Sequence, residues 1–579
     1  MVDLKAIIRA VIANQKSNDI AQGASTITQQ LARNIFLTQE VTWERKVEEI
    51  FIAVGLEKKF TKKQILEFYL NNIYFGNGYY GVEAAAKGYF DKSVSELTLA
   101  EQVFIAAIPN SPNRYNPFTN FDNTVTRKNL ILSILNSEGK ISSLDYYLAK
   151  DEEIELNPQQ VQEANNSAVT YARHCAVEAL MSVSGFTFRS NFDTQDESDK
   201  YDSSYETYYT MCQQKLLSGG YTVYTSIDTA LQQQLQDSVD NTLKGYTALS
   251  DNGVYAMQAA ATSIDNVTGN VVAIVGSRSQ ASISGYTLNR AYQSARQPGS
   301  AIKPLMVYMP YLQMGNNPDS IVTDESIEGG PVNADGVYAG DITLREALRT
   351  SKNTVAWNIL QRISPRSGVS FLTNMDFKNV WMDKDHIAAA LGGFTYGVTT
   401  EEMAGAYAAI ANEGIYRKAT CVIKIVDSSN KTIVDNSTRG SKIYDSNSCR
   451  MMTDMLKTVV TSGTGVSAGT DNAIIAGKTG TTNSTKDAWF CGGYSKYYTT
   501  AVWMGYDYPK QIDSPAANEI FRSYMQKIHE GLSIVDFTPY TAAKGQQGTI
   551  ASQTQTTQPE TGTVSETQSS TEQTTTPAV

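Results

Sequence analysis

Apolar side chains recur at helical spacing in the first 150 residues of the chain. Residues 65–70 and 99–107 place apolar positions three or four apart, which predicts a helix at each stretch. A cluster of prolines predicts a loop after the second helix: Pro109, Pro112 and Pro117. We therefore predict that residues 1–150 form a helical unit.

After residue 250 the apolar positions change to shorter runs bounded by turn residues. Residues 259–264 and 270–275 predict the two strands of a hairpin. Helical patterns follow at 300–315, 343–362, 400–413 and 447–462. Strand patterns follow at 421–426, 431–435, 473–477, 487–494 and 499–506. Strands before and after helices predict one mixed sheet packed by helices, within a multidomain α+β protein.

The remaining segments predict a linker and a tail. Residues 185–215 mix acidic side chains with tyrosines, which we interpret as an acidic insert. Around it, 221–226 predicts a strand and 229–243 a helix. From about residue 545 the chain is almost entirely Gln, Thr, Ser, Pro, Glu and Gly, which predicts disorder. The predicted division is 1–150, a linker with the insert at 151–250, a second domain at 251–540 and a tail at 541–579.

The composition argues against several classes of function. The 579 residues carry 48 basic and 59 acidic side chains, and a net charge of −11 does not suit a general nucleic-acid-binding protein. Three histidines, and five cysteines without a C-x-x-C pair, favour neither a metal site nor a disulfide framework. The sequence has no apolar run of roughly 18 residues and no signal peptide at its start, so it predicts neither an anchor nor export.

The first candidate catalytic residue is Ser300, which precedes Lys303 by three positions. Pro298 and Gly299 break the chain, and residues 301–314 then predict a helix. Ser300 therefore lies at a helix N-terminus, where backbone N–H groups and the helix dipole stabilise an oxyanion. Lys303 lies one turn further along the same face. The pair supplies a nucleophile and a base.

The Ser-x-x-Lys spacing alone is weak evidence. Ser137 and Ser428 also precede a lysine by three positions, but both lie in turn sequences. An ordinary helix cap beside a solvated lysine is the alternative interpretation of Ser300. Two further polar segments favour a catalytic role for Ser300 over the role of a helix cap.

The first of these segments is Ser351-Lys352-Asn353, which follows a helical stretch. Its hydroxyl can relay a proton and its amide can hold a substrate carbonyl, a combination that suits acyl transfer without histidine. The alternative interpretation is a helix cap or turn.

The second segment is Lys478-Thr479-Gly480-Thr481, which follows a predicted strand. Gly480 allows a substrate backbone to approach closely, and Lys478 with the threonines can bind a carboxylate. A strand end with a solvated lysine is the alternative.

In combination these motifs resemble the transpeptidase domain of the class A penicillin-binding proteins, the bifunctional peptidoglycan synthase family. The matching stretches are Arg290-Ala291, Arg296 to Pro304, Ser351-Lys352-Asn353, Gly392-Gly393, Gly397-Val398-Thr399, Gly477 to Thr482 and Asp487 to Phe490. The resemblance extends over nearly everything except about 185–215 and the tail. It implies a β-lactamase-like domain in which helices pack an antiparallel sheet.

The first block resembles the lipid II glycosyltransferase domain of the same family, which implies a lysozyme-like helical fold. The matching stretches are 23–34, 45–49 and 65–71. Hydroxyls, amides and cations suited to a diphosphate lie there: Ser25, Thr28, Gln29, Gln30, Arg33, Arg45 and Lys46. The resemblance makes Glu49 a catalytic carboxylate and allows a divalent metal in this domain. A polar loop before a charge-paired helix is the alternative.

The sequence departs from the family at its start. The family's glycosyltransferase begins with a Glu-Asp-containing motif that carries a second essential glutamate, after a membrane helix. Residue Met1 falls just past that motif, so Glu49 lacks a partner for two-carboxylate chemistry. We expect a truncated gene or internal start, and we predict that residues 1–579 do not polymerise lipid II. Glycan chains made by the purified protein would contradict this.

The resemblance also implies a mechanism on stem peptides that end in D-Ala-D-Ala. Ser300 would be the nucleophile, Lys303 its base, and Ser351 the proton donor to the leaving D-Ala. Asn353 would bind the peptide amide. Backbone N–H groups of Ser300 and Thr481 would form the oxyanion hole. The substrate carboxylate would be bound by Lys478, Thr479 and Thr481, with Gly480 between them.

The family further implies partners and a location. Stem peptides, lipid II and β-lactams are the implied ligands, with no cofactor for the transpeptidase. The membrane, for the full-length protein, and other wall-synthesis proteins are the implied partners, at the extracytoplasmic face of the bacterial membrane. The alternatives are a DD-carboxypeptidase, a β-lactamase and a non-catalytic scaffold for wall synthesis.

Overall fold

The computed structural model describes residues 25–36, 43–77, 79–157, 166–251, 253–280, 288–437 and 440–541. The predicted tail, the first 24 residues and the side chain of Arg45 lie outside what it describes. Among the described residues, no helix is long and apolar enough to cross a membrane.

Helices make up the N-terminal block. They are α1 Ile27–Phe36, α2 Trp43–Lys59, α3 Lys62–Asn72, α4 Val82–Phe90, α5 Leu99–Ala107, α6 Phe121–Ser137 and α7 Ser143–Asp151. Side chains of Thr61 and Thr98 cap α3 and α5 by accepting a backbone N–H three residues on. Tyr89 and Phe104 are fully buried in the core of this block. The two predicted helices are confirmed.

The acidic segment contains a helix, and its interpretation as an insert in a linker stays a prediction. The chain continues as α8 Ser167–Val183, α9 Gln195–Ser218, strand β1 Thr222–Thr225 and α10 Thr229–Leu243. Thr194 caps α9, and Tyr201, Tyr205 and Tyr208 pack on the core that the C-terminal domain also uses. Since these tyrosines recur at helical spacing, one face of α9 is buried and the acidic side chains cover the other.

The C-terminal domain is built on a five-stranded sheet. The strands of this domain, including those of smaller sheets, are β2 Met257–Asp265, β3 Val271–Val275, β4 Ile321–Asp324, β5 Gly340–Thr343, β6 Ile415–Tyr416, β7 Val422–Val426, β8 Thr432–Asp435, β9 Ser441–Lys442, β10 Ala476–Thr481, β11 Asp487–Tyr494 and β12 Tyr498–Tyr506. The order in the main sheet is β10-β11-β12-β2-β3, and every pair is antiparallel. Helices do pack this sheet, which confirms the antiparallel fold that the resemblance implied. The expectation of a mixed sheet is wrong: three of the four pairs are hairpins, and β12 pairs antiparallel with β2 from the other end of the domain.

Both faces of the sheet are covered by helices. The helices of this domain are α11 Arg290–Gln293, α12 Met309–Gln313, α13 Leu344–Arg349, α14 Asn353–Ile363, α15 Pro365–Thr373, α16 Thr400–Ala411, α17 Ser446–Ser462 and α18 Ala517–Ile528. One core contains Tyr407 of α16 and Trp503, and the other contains Phe521 of α18 and Phe490. Strand β10 is at one edge of the sheet, where its last residues reach the candidate site.

Two predicted helices near the site are irregular. The segment 299–313 begins as a 3₁₀ turn at Gly299–Ile302, widens to a π-helix at Pro304–Tyr308 and ends as α12. Pro304 and Pro310 have no N–H to donate to a regular α-helical ladder, and π segments recur at functional sites. The predicted helix 343–362 is two helices, α13 and α14, that are separated at Thr350–Lys352.

Candidate active site

Ser300 lies in the 3₁₀ turn that opens the irregular helix, and its side chain is half-buried. Gly299 precedes it with φ 53°, and a Cβ atom there would lie 2.5 Å from the carbonyl oxygen of Thr481. A Cβ atom on Gly480 would lie 2.3 Å from the carbonyl oxygen of Pro298. The nucleophile turn and strand β10 therefore meet backbone to backbone, which only glycine allows at these positions.

The side chain of Lys303 is completely buried. Its Nζ lies 2.8 Å from the carbonyl oxygen of Ser351, 2.8 Å from Oδ1 of Asn353 and 3.2 Å from the carbonyl oxygen of Lys352. Burial, with the nearby charge of Lys478, holds the pKa of Lys303 well below the ordinary lysine value. A neutral amine is the form that accepts a proton.

The contacts of Lys303 suit both of its protonation states. An uncharged amine has two N–H donors and one lone pair, and an ammonium ion has three donors. The two contacts at 2.8 Å, to Ser351 and Asn353, satisfy two donors, and the contact at 3.2 Å with the carbonyl of Lys352 satisfies the third of the ammonium form. The lowered pKa favours the neutral amine, whose lone pair can accept a proton.

Lys478 is the second fully buried lysine, and it lies within β10 opposite Cys491 of β11. Its Nζ is 3.1 Å from the carbonyl oxygen and 3.3 Å from Oγ1 of Thr479. Burial lowers its pKa from 10.5 to about 7. The segment Lys478-Thr479-Gly480-Thr481 was predicted to follow a strand at 473–477. Strand β10 comprises Ala476–Thr481, so the segment is part of the strand. Pairing with β11 fixes its side chains.

Ser351 and Asn353 lie at the junction between α13 and α14. Ser351 has φ 61°, a left-handed conformation that is uncommon for a residue with a Cβ atom. Its backbone N–H donates to the carbonyl of Leu348 at 3.1 Å. The Asn353 amide donates from Nδ2 to the carbonyl of Val332 at 2.8 Å and accepts from Lys303 at Oδ1. The amide is thus held in one orientation.

The structure brings several of the predicted transpeptidase residues together. Lys303 contacts the Ser351 carbonyl and the Asn353 amide, and the charge of Lys478 acts on it. The 3₁₀ turn that contains Ser300 packs against β10. Thr479 and Gly480 belong to the same strand, and Thr481 ends it at the surface.

Other residues of the site were missed from the sequence. Thr464 Oγ1 lies 2.7 Å from Thr479 Oγ1, although Thr464 belongs to a loop after α17. The Gln297 side chain accepts from the Phe394 N–H at 2.8 Å and also donates to the Phe394 carbonyl, which ties the nucleophile turn to the loop after Gly392. Gly392 lies against the backbone of Gly299, where a Cβ atom would be 2.4 Å from its nitrogen. Small and polar residues in loops were the only signal for these contacts.

In the N-terminal block the structure brings some of the predicted residues together. Glu49 is fully buried and hydrogen-bonds Lys46, whose Nζ also donates to Ser25 Oγ at 2.8 Å. Two contacts were not predicted: Thr28 Oγ1 donates to Glu57 at 2.5 Å, and Tyr69 donates to Gln30 at 3.2 Å. Gln29 is fully buried, and Arg33 is half-buried with its charge acting on Tyr69.

The described residues do not form a metal site in this block. No group of three His, Cys, Asp or Glu side chains is placed to hold a metal ion among them. The Glu49 carboxylate is engaged by a lysine instead. No step is therefore assigned to the divalent metal that the resemblance allowed for this domain.

Comparison with known proteins agrees with both parts of the chain. The transglycosylase family matches residues 1–136, and the penicillin-binding protein transpeptidase domain matches 259–526. Penicillin-binding protein 4 of Bacillus subtilis is 35% identical over 517 residues, with 88% of this chain and 80% of the relative covered. Penicillin-binding protein 1A of Clostridium perfringens strain 13 is 32% identical over 568 residues, with coverage of 92% and 81%.

A solved structure has the same fold. Penicillin-binding protein 1A from Haemophilus influenzae superposes with a TM-score of 0.55 at 21% identity, and the alignment covers 88% of this chain and 89% of that one. The fold and the site thus define a transpeptidase joined to a helical transglycosylase domain. The chain belongs to the class A penicillin-binding proteins, and its function is peptidoglycan synthesis.

Proposed function

We propose that this chain is a serine DD-transpeptidase that cross-links stem peptides through an acyl-enzyme on Ser300. The observation that carries the proposal is the buried amine of Lys303, which bonds Ser351 and Asn353 one turn beyond Ser300. A buried lysine with a depressed pKa is a base, and a hydroxyl beside such a base is a nucleophile.

In the first half-reaction Lys303 takes the proton of Ser300. The serine oxygen forms a bond to the carbonyl carbon of the penultimate D-Ala, and the oxyanion is bound by the backbone N–H groups of Ser300 and Thr481. The C–N bond to the terminal D-Ala then breaks, and Ser351 passes a proton to the leaving amine. The product is an ester at Ser300 and free D-Ala.

In the second half-reaction the amine of a neighbouring stem peptide attacks this ester. The new amide forms as the bond to the serine oxygen breaks, and Ser300 regains a proton. Asn353 holds the peptide amide of the donor in both steps. Charged Lys478 with Thr479 and Thr481 holds the carboxylate of the terminal D-Ala in the first half-reaction, until that residue leaves. No cofactor takes part in these steps.

Two hydrolytic activities of the same site are alternatives to transpeptidation. Water in place of the amine gives a DD-carboxypeptidase, and fast hydrolysis of a penicilloyl ester gives a β-lactamase. The transglycosylase domain supports the transpeptidase, because glycan synthesis and cross-linking act on the same polymer. A scaffold without activity is a further alternative, against which the intact set of reactive side chains argues.

The proposal extends to ligands and location. Stem peptides and β-lactams bind at Ser300, and the diphosphate of lipid II binds near Ser25 and Lys46. A solved relative, PonA1 of Mycobacterium tuberculosis, is in complex with penicillin V, and its TM-score to this chain is 0.51. We place the catalytic domains at the extracytoplasmic face of the membrane, as in the family.

Labelling with a fluorescent penicillin tests the assignment of Ser300. The wild-type protein should gain one penicilloyl group, and Ser300→Ala should gain none. Ser428→Ala is the matched control, because Ser428 also precedes a lysine by three positions but is exposed. An adduct on Ser300→Ala, or none on the wild type, would overturn the proposal. Release of D-Ala with a D-amino acid as acceptor then separates amide formation from hydrolysis.

A further inference from the structure

The loop between β4 and β5, residues 325–339, contacts the Ser351–Asn353 turn, which also contacts Lys303. Oδ1 of Asn333 accepts the backbone N–H of Asn353 at 2.8 Å and that of Thr354 at 3.3 Å. The carbonyl of Val332 accepts from the Asn353 side chain at 2.8 Å. The first turn of α14 is thus capped by a side chain from this loop rather than by a local residue.

Lys352, the middle residue of the Ser351–Asn353 turn, also binds loop 325–339. Its side chain is 5% exposed. Its Nζ lies 2.9 Å from Oδ2 of Asp335, 2.9 Å from the carbonyl of Val337 and 3.3 Å from Oδ2 of Asp324. A buried ammonium needs such partners, since an unpaired charge is costly inside a protein.

Asp324 connects loop 325–339 to the first turn of α14. It is completely buried at the end of β4 and accepts from Nδ2 of Asn333 at 2.6 Å, the Ala339 N–H at 2.9 Å and the Thr354 hydroxyl at 2.5 Å. One carboxylate therefore fixes the loop and the start of α14 together.

The loop contacts have consequences for the reacting groups. Ser351 is left-handed, a conformation that persists only where neighbouring contacts impose it. The Asn353 amide presents Oδ1 to Lys303 because its Nδ2 is occupied by Val332. If the Asn353 side-chain amide were rotated by half a turn, its NH₂ group would face Nζ of Lys303. Lys303 would then lose Oδ1 of Asn353 as a hydrogen-bond acceptor.

We propose that loop 325–339 is a positioning element of the acylation site, with Asp335 acting through Lys352 as a positioning residue for Ser351 and Asn353. The inference deepens the proposed function and rests on acylation at Ser300. Asp335 touches no reacting group, so it affects the rate by holding the turn. Loosening that turn lowers the fraction of molecules with Asn353 and Ser351 in place.

The test replaces Asp335 by Asn and by Glu, and compares both with Asp454→Asn. Asp454 is the matched control, because it pairs with Arg345 at 2.6 Å and its side chain is 40% exposed, against 47% for Asp335. Both Asn variants remove one carboxylate charge from a half-exposed ion pair in the same domain. Asp335→Glu keeps the charge within reach of Lys352.

Stopped-flow acylation by penicillin at saturating concentration gives the measured rate, with active sites titrated by burst. Asp335→Asn should acylate on the order of tenfold more slowly per active site, because positioning is lost. Asp335→Glu and Asp454→Asn should stay within roughly twofold of the wild type, as expected of a surface change. The thermal midpoints of the two Asn variants should fall by similar amounts.

Three results bear on the inference. Equal acylation rates in Asp335→Asn and Asp454→Asn would overturn it, and so would a loss explained by fewer active sites alone. A slower rate per active site at an unchanged penicillin affinity would support it. Absence of acylation in the wild type would overturn the proposed function itself, which separates the two failures.

Discussion

Nζ of Lys303 lies 2.8 Å from Oδ1 of Asn353, and both groups belong to the buried side of the site. Among the described residues, the hydrogen bonds of this amine go to an amide and to two backbone carbonyls, and none goes to a carboxylate. Carbonyl oxygens accept from a neutral amine but do not neutralise an ammonium ion. The relationship therefore supports the proposed role of Lys303 as the base.

Removing the base should slow acylation strongly in protein that is still folded. Lys303→Arg keeps a permanent charge and Lys303→Met removes the nitrogen, so neither side chain can accept the serine proton. We expect both variants to acylate roughly 10²–10⁴ times more slowly with penicillin, the usual contribution of general base catalysis. Quenched-flow mass spectrometry measures the rate, and thermal denaturation verifies folding. Lys431→Met, the lysine of the Ser428 pair, should acylate normally.

The rate of acylation should show a bell-shaped dependence on pH. Lys303 must be neutral, so the acidic limb reports its lowered pKa. Lys478 must be charged to bind the substrate carboxylate, and its pKa of about 7 predicts a decline as the pH rises through neutrality. The ratio of acylation rate to dissociation constant, measured from pH 5 to 9, should reveal both limbs. A steady rise to pH 9 would contradict this role of Lys478.

Lys478 should also make stability depend on pH. Its pKa in the folded state is about 7 and its ordinary value is 10.5. Since the folded pKa is the lower one, the unfolded chain binds more protons between these values, and the contribution of Lys478 to stability should improve as the pH rises through this window. Chemical denaturation at pH 7 and 9 measures the change. Lys478→Met should lose this part of the dependence and keep the rest.

A carboxylate in place of the Asn353 amide should alter the base. In Asn353→Asp an anion would lie beside the Lys303 amine, and a nearby opposite charge stabilises the ammonium form. The acidic limb of the acylation profile should then move upward by roughly one to three pH units. Asn447→Asp is the control, because the Asn447 side chain donates a hydrogen bond to the exposed backbone carbonyl of Thr541. An unshifted limb would mean that Lys303 titrates independently of position 353.

The aromatic packing under α9 should contribute strongly to stability. Phe186 is 8% exposed, and its ring contacts those of Tyr201, Tyr205 and Tyr208. Phe186→Ala should cost about 3–5 kcal/mol in the free energy of unfolding, as for other buried aromatic truncations. Tyr508→Ala removes a ring that is 91% exposed and should change it by about 0.5 kcal/mol or less. Equal effects would show that α9 does not share the core.

Local patterns were sufficient for much of the fold. The helices 99–107 and 229–243 agree with the structure to the residue, because each has a polar N-cap and apolar positions at helical spacing. Helix α9 was not predicted, because the charges of this segment were weighed above its tyrosines. The spacing of Tyr201, Tyr205 and Tyr208 was the signal for a buried face.

The candidate site could be predicted in its reactive groups but not in its supports. Ser300, Lys303, Ser351 and Lys478 belong to short motifs that carry their chemistry locally. Asp335, Asn333 and Thr464 act through neighbours that are distant in the sequence, and no local pattern marks such contacts. The assignment of roles to these residues stays a prediction until acylation is measured.

The junction of Gly299, Gly392 and Gly480 restricts how the protein can adapt under antibiotic selection. Backbone atoms occupy the space that even a methyl group would need at all three positions. Resistance to β-lactams cannot therefore arise by narrowing the cleft there without separating the three segments that build it. Tolerated escape substitutions should lie around this glycine junction, in outlying loops whose side chains have room to change.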